Sequence, residues 1–220
     1  MSVLKLTNEL QNQGVLIAVA VATDVVVRPS SDSLRAQLDQ LIEERKASEF
    51  PTQETKDAVR NLLKSGGFKP SGRNKPASEY LAQAAREGRF PIINNLVDIN
   101  NLVSLRTGLP ISLLDTAAIG DHLLIRLGRD GERYVFNSGG QEIELKGLIC
   151  ACNGETDEPL GNAVKDSMKG KIKEHTTNVA AVIYAPNEGE LARAAQDHIA
   201  AFAELLQSEG NAGSVQIIVA

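Results

Sequence analysis

Between Phe90 and Asp115 the chain reads FPIINNLVDINNLVSLRTGLPISLLD, a run in which carboxamides alternate with apolar residues. Leu96, Ile99, Leu102 and Val103 recur at three- and four-residue spacing, which predicts a helix over Ile92–Arg106. Gly108-Leu109-Pro110 stops it, as a Gly and a Pro past the last turn do. Asn94, Asn95, Asn100 and Asn101 sit among residues that otherwise look like core. A buried amide is costly unless its oxygen and its NH2 group both find partners. Any fold for this chain must therefore satisfy these amides with its own backbone or with a ligand.

The flanking segments read clearly. Val15–Val27 is a strand or a pair of strands, rich in Val, Ile and Ala. Helices are predicted over Ser33–Lys46, where Leu34, Leu38, Leu41 and Ile42 share a face, and over Thr52–Lys64, with Val59, Leu62 and Leu63 inward. After the polar loop Phe68–Pro76 comes a helix over Ser78–Glu87, with Tyr80, Leu81 and Ala84 inward. Beyond the central helix the pattern turns to short strands: Ser112–Asp115, His122–Leu127, Arg133–Phe136, Gln141–Lys146, Leu148–Asn153 and Val179–Tyr184. Gly128–Gly131 reads as a hairpin turn between two of them. A helix over Glu188–Gln207 and a strand over Val215–Val219 close the chain. A helical block running into a β block implies an α+β fold, a mixed β-sheet core packed against several helices, within a single domain over 1–220.

Charge narrows the function. The net charge of −5 excludes a protein that grips nucleic acid through a broad basic field, so any RNA contact is local and transient. Basic residues do cluster, Lys165, Lys169, Lys171 and Lys173 in one segment and Arg126, Arg129 and Arg133 in another; each group is either a local phosphate-facing patch or a solvated face. Cys150 and Cys152 lie roughly 6.6 Å apart along an extended strand, too far for easy mutual bridging, and read as small strand residues of a reduced compartment. The apolar run Val15–Ala22 is too short to cross a bilayer and no signal-peptide core precedes it, so a cytoplasmic protein with no membrane partner is expected. Neither DNA binding nor a metal or cofactor is implied.

Familiar catalytic constellations are absent. There is no phosphate loop, no G-x-G-x-x-G opening a helix and no G-x-S-x-G elbow, and His122, His175 and His198 are far apart. Asp98 and Asp115 either pair or, as single Asp residues before turns do, cap backbone amides. A different type of site positions a water molecule with amides and hydroxyls, without a general base. Asn100, Asn101, Ser104 and Ser112 suit that role, and equally suit helix capping and turn closure.

These residues also carry a resemblance. Val97-Asp98-Ile99-Asn100-Asn101-Leu102-Val103, then Gly108-Leu109-Pro110-Ile111-Ser112-Leu113-Leu114-Asp115, then Leu124-Ile125-Arg126 and Gly131-Glu132-Arg133-Tyr134, follow one another in order and spacing. They resemble the B-three/four editing domain of the phenylalanyl-tRNA synthetase beta subunit, which reads Val-Asp-x-Thr-Asn-Tyr-Val, Gly-Gln-Pro-Leu-His-Ala-Phe-Asp, then a strand Arg and an acidic hairpin. Free-standing members of that family are similar too, through Pro76-Ala77-Ser78-Glu79-Tyr80-Leu81 and Asn101–Arg106. The resemblance covers 76–186, with 1–75 and 187–220 as integral additions.

The resemblance implies a trans-acting aminoacyl-tRNA editing protein, an aminoacyl-tRNA deacylase that hydrolyses the ester of a mischarged tRNA. It puts Asn100 and Asn101 at the family's Thr-Asn pair and Ser112 at its pocket His, with Ser167 and Thr177 as further pocket residues. Lys69, Arg73 and Lys75 of the polar loop, with Lys169 and Lys171, would meet the tRNA acceptor end. No acid stands near Ile183–Ala185, where the family's tyrosine-reading Glu falls, so a tyrosyl substrate is not implied. The rival readings are a non-catalytic tRNA- or amino-acid-binding module, and a protein-interaction domain with a lost pocket; a synthetase partner has no support in the sequence.

Overall fold

The run from Val15 carries no polar side chain before Thr23, so a strand made from it needs cover on both faces. In the computed structural model, which describes residues 3–220 with the side chain of Arg73 outside the described residues, it has that cover. A short first strand, β1 (Lys5–Asn8), precedes β2 (Val15–Thr23), all of whose nine residues are buried. Leu16, Ala18, Ala20 and Ala22 enter one hydrophobic cluster, while Val15, Ile17, Val19 and Val21 enter another.

Four helices follow, α1 (Asp32–Lys46), α2 (Gln53–Lys64), α3 (Ala77–Arg86) and α4 (Asn95–Thr107). Next come β3 (Ile111–Asp115), the single turn α5 (Thr116–Ile119), β4 (His122–Leu127), β5 (Arg133–Val135), β6 (Glu142–Glu144), β7 (Ile149–Asn153) and β8 (Pro159–Asn162). The chain closes with β9 (Val179–Pro186), the long α6 (Gly189–Ser208) and β10 (Ser214–Val219). A central antiparallel sheet has the order β10-β2-β9-β3, and a second sheet the order β1-β4-β7-β8, mixed because β1 and β4 run parallel. Strands β5 and β6 form a separate hairpin. One face of the central sheet packs on α1, α3, α4 and α6, the other on the second sheet, with α2 contributing to both clusters. The fold is α+β, with sheets packed against helices.

Helix α4 is the hub of the helical layer, and eleven of its 13 residues are buried. Its start explains two of the four amides. The Asn94 side chain caps the helix, accepting from Val97 N–H at 3.0 Å. The Asn95 side chain is fully buried: its Oδ1 accepts from Arg28 N–H at 3.0 Å, and its Nδ2 donates to the carbonyls of Val26 and Glu209, both at 2.9 Å. Asp98 holds the same entry, accepting from Ile93 N–H at 2.9 Å and from the Ser30 hydroxyl at 2.6 Å. At the far end Gly108 adopts φ of 77°, and Ser104 Oγ donates to the Leu109 carbonyl at 2.8 Å.

Several expectations need correction. The helix starts at Asn95 rather than Ile92, because Asn94 takes the cap. Val15–Val27 is one strand, and it ends at Thr23. The turn near Gly128–Gly131 does not join paired strands: β4 pairs with β1 and β7, and β5 with β6. Hydrogen bonds of Gly128 to Leu148 and Gly147 draw the chain away from a hairpin there. Tyr80 is not inward but 48% exposed. Asp98 and Asp115 are not paired; Asp115 caps α5 through Ala117 N–H at 2.9 Å and accepts from the Thr176 hydroxyl at 2.6 Å.

Replacing Asn95 by Ala leaves the Arg28 N–H and the Val26 carbonyl without their partner. A loss of about 3 kcal/mol is expected, read from the urea midpoint at unchanged slope. A loss below about 1 kcal/mol would show that these bonds do not hold α4 in place.

Candidate functional site

Two turns beyond its cap, α4 presents a different surface. Ile93, Asn94, Val97, Asn100 and Asn101 fall at helical spacing along one wall of an open cleft of about 1190 Å³. Ile111 and Leu113 of the edge strand β3 line it from the sheet. Lys75, Tyr80 and Arg89 stand on the α3 side, and Phe136, Lys165, Asp166 and Lys171 on the side of the later loops. Asn100 is 9% exposed and Asn101 6%, and the Asn100 Oδ1 atom is buried with no hydrogen-bond partner among the described residues. Burying a polar atom in this way is unfavourable unless something outside the fold completes it.

Below the cleft lies a satisfied polar network. Ser112, fully buried on β3, donates from Oγ to Asp166 Oδ1 at 2.6 Å and lies 2.9 Å from the Tyr184 hydroxyl. Asp166 also accepts from Leu113 N–H at 3.3 Å. Gly161 makes the packing possible, since a Cβ there would stand 2.6 Å from Asp166 Oδ1 and 3.1 Å from Ser112 Oγ. Alongside, Asn162 accepts from Val164 and Lys165 N–H at 2.8 and 2.9 Å and donates to the Tyr134 hydroxyl at 2.5 Å.

The cleft is basic within an acidic chain. Its charged lining is Lys75, Arg89, Lys165 and Lys171 against Glu142 and Asp166. Lys165 lies 4.1 Å from the centre of the Phe136 ring, Lys171 Nζ donates to the Phe136 carbonyl at 2.6 Å, and Arg89 sits over the Tyr80 ring.

The structure thus gathers Asn100, Asn101, Lys75 and Lys171 around one cleft, with Ser112 just beneath it. It does not bring the other sequence candidates there. Ser167 is 3% exposed and accepts from Gly170 N–H in its own turn. Thr177 lines a separate hollow of about 270 Å³ with Lys169, Lys173 and His175. Lys69 is exposed away from the cleft lining, Lys169 pairs with Glu158, and the Arg73 side chain is not described.

Arg126 is unavailable to any phosphate. Its five N–H donors go to Glu132 at 2.8 and 2.9 Å, to the Asp157 carboxylate and carbonyl at 2.6 and 2.8 Å, and to the Leu127 carbonyl at 3.0 Å. Burial alone would lower its pKa, but the two carboxylates raise it. Cys150 and Cys152 are free and buried, and burial pushes the Cys152 thiol up to about 12. Among the described residues no cluster suited to a metal ion occurs, and no helix is long and apolar enough to cross a membrane.

Asp166, Tyr80 and Phe136 were not legible as site residues. One faint signal was a lone acid in the Lys-rich segment; another was Tyr184, a hydroxyl in an apolar strand that had to find a partner.

Burial pushes the Asp166 carboxyl up to about 6, although the Ser112 and Leu113 hydrogen bonds and the Lys171 charge pull it down. Folding therefore favours its protonated form. That contribution is complete below the ordinary carboxylate pKa and is lost as pH rises through about 6. Relative to Asp166→Asn, the wild type is expected to lose roughly 2 kcal/mol of stability between pH 4 and pH 8, measured by urea unfolding. A difference that does not change with pH would contradict this placement of the carboxyl.

A family model described as the B3/4 domain matches residues 66–201. The phenylalanine–tRNA ligase beta subunit of Staphylococcus aureus (strain bovine RF122 / ET3-1) is 33% identical over 99 residues, 44% of this chain and 12% of that one. The beta subunits of Symbiobacterium thermophilum and Aquifex aeolicus are 29% identical over 109 residues and 33% over 106, covering 12% and 13% of their length. The match therefore spans about one eighth of these relatives. A crystal structure of an N-terminal fragment of the Pyrococcus horikoshii phenylalanyl-tRNA synthetase beta subunit aligns with 99% of this chain and 50% of its own, at a TM-score of 0.47 and 12% identity. With more than half of its length matched by the family model, the chain belongs to the B3/4 domain family.

Proposed function

We propose that this protein is a trans-acting editing enzyme that removes the amino acid from a mischarged tRNA. The observation that carries this reading is the pair Asn100 and Asn101 in the cleft wall, with an acceptor atom of Asn100 buried and unmet among the described residues. The relatives are subunits of a ligase that joins phenylalanine to tRNA, which directs attention to a charged tRNA end rather than to another ester. The ligase reaction itself is not carried over.

In this reading a water oxygen bonds to the ester carbonyl carbon, and the bond from that carbon to the ribose oxygen breaks. The proton from the water ends on the ribose oxygen, releasing free amino acid and uncharged tRNA. The amide N–H groups of Asn100 and Asn101 hold the developing oxyanion, and the Asn101 Oδ1 accepts from the attacking water. Lys75, Lys165 and Lys171 meet the nearby phosphates, while Tyr80 and Phe136 offer ring faces to the terminal bases. Because the chain as a whole is acidic, tRNA contact is brief and falls steeply with salt.

A second reading, a holder that binds an aminoacyl end without cleaving it, is favoured by one observation. The Ser112 hydroxyl, which stands where the family's pocket His is expected, is already engaged by Asp166 and Tyr184. Deacylation of a panel of tRNAs, each charged with a wrong small or medium amino acid, separates the two. Ester loss from one or two members is expected, reduced about 100-fold in Asn101→Ala. Folded protein that binds the charged tRNAs but cleaves none of them would establish the holder.

A further inference from the structure

One carboxylate on the cleft lining, that of Asp166, forms no direct ion pair among the described residues, although the Lys171 charge acts on it from nearby. The hydrogen bonds to the Asp166 carboxylate come from neutral donors, the Ser112 hydroxyl and the backbone of Leu113 and Asn162. Lys171 donates to the Phe136 carbonyl at 2.6 Å, and Lys165 stands 4.1 Å from the centre of the Phe136 ring. Glu142, the other acid of the lining, has Arg133 at 3.7 Å. On the far side of the carboxylate Gly161 packs so closely that not even a Cβ would fit, so its open side is the cleft. The Tyr184–Ser112 hydrogen bond fixes the hydroxyl that in turn fixes the carboxylate. A rigid carboxylate with spare acceptor positions, in a cleft that is otherwise basic, calls for a small cation on an otherwise anionic ligand.

We infer that Asp166 receives the α-ammonium group of the bound aminoacyl ester, so that the cleft selects ends whose amino group is unblocked. This rests on the reading of the cleft as an aminoacyl site and adds a substrate class to it. Aminoacyl ends with a free amino group are accepted. N-acylated ends, such as peptidyl or formylated ones, are refused because they have no positive charge to offer and leave the carboxylate unpaired.

The test uses 3′-aminoacylamino-3′-deoxyadenosines carrying seryl, valyl or phenylalanyl groups, whose amide resists cleavage, each with a free or an acetylated α-amino group. Calorimetric binding is measured for wild type, Asp166→Asn and Ser112→Ala. Acetylation is expected to weaken wild-type binding at least tenfold, and Asp166→Asn binding less than twofold. Ser112→Ala keeps the carboxylate and is expected to retain at least a threefold preference. An equal penalty in wild type and Asp166→Asn, no penalty in wild type, or no binding of any analogue overturns the inference. Binding is read without turnover, so a failure to deacylate tRNA sinks the editing reading alone.

Discussion

The carboxamide of Asn95 is buried completely, and both its ends are engaged by backbone from elsewhere in the chain, the segment after β2 and the end of α6. Those three hydrogen bonds, with the Asp98 carboxylate accepting from Ile93 and Ser30, set where α4 begins and how it is rotated. The rest of the site follows from that rotation. With α4 fixed, Leu96, Ile99, Leu102 and Val103 enter the core, and Asn100 and Asn101 turn toward the cleft. Burial of each of those apolar side chains contributes about 1.5–3 kcal/mol, so a slip of one residue would expose them while pulling the amide pair out of the cleft.

The same side chain thus serves opposite ends along one helix. Near the start the amides are spanned by loops that offer N–H and carbonyl groups at bonding distance, and the protein satisfies them. Two turns on, α4 faces the edge strand β3 across the cleft, and the Asn100 Oδ1 atom meets no donor there among the described residues. An unmet acceptor there lowers stability. The electrostatics follow a similar division. Arg126 is enclosed by Glu132 and Asp157 as part of the framework, whereas Lys75, Lys165 and Lys171 line the cleft.

Much of this could be read from the residues because the signals were periodic. The cores of α1, α2 and α4 followed from Leu and Ile spacing, and the buried strand β2 from its unbroken apolar run. The amide pair at Asn100 and Asn101 stood out as polar chemistry in apolar company. Strands β1 and β8 were not legible, since β1 is short and makes its sheet contact with β4, more than a hundred residues away, and β8 contains Pro159 and Gly161. Tyr80 had the spacing of a core residue yet lies at the cleft rim beside Arg89, because periodicity gives a helical face but not what covers it. Asp166 gave no local pattern at all; its role arises from Ser112 and Leu113, over fifty residues earlier.

The central claim is that the amide wall of α4 is completed by a ligand. The most direct measurement is side-chain amide NMR of protein labelled with 15N-asparagine, titrated with 3′-valylamino-3′-deoxyadenosine. The side-chain resonances of Asn100 and Asn101 are predicted to shift to saturation together, while that of Asn95, already closed by backbone, stays in place. Binding that shifts other residues and leaves the Asn100 and Asn101 amides unmoved would contradict the account.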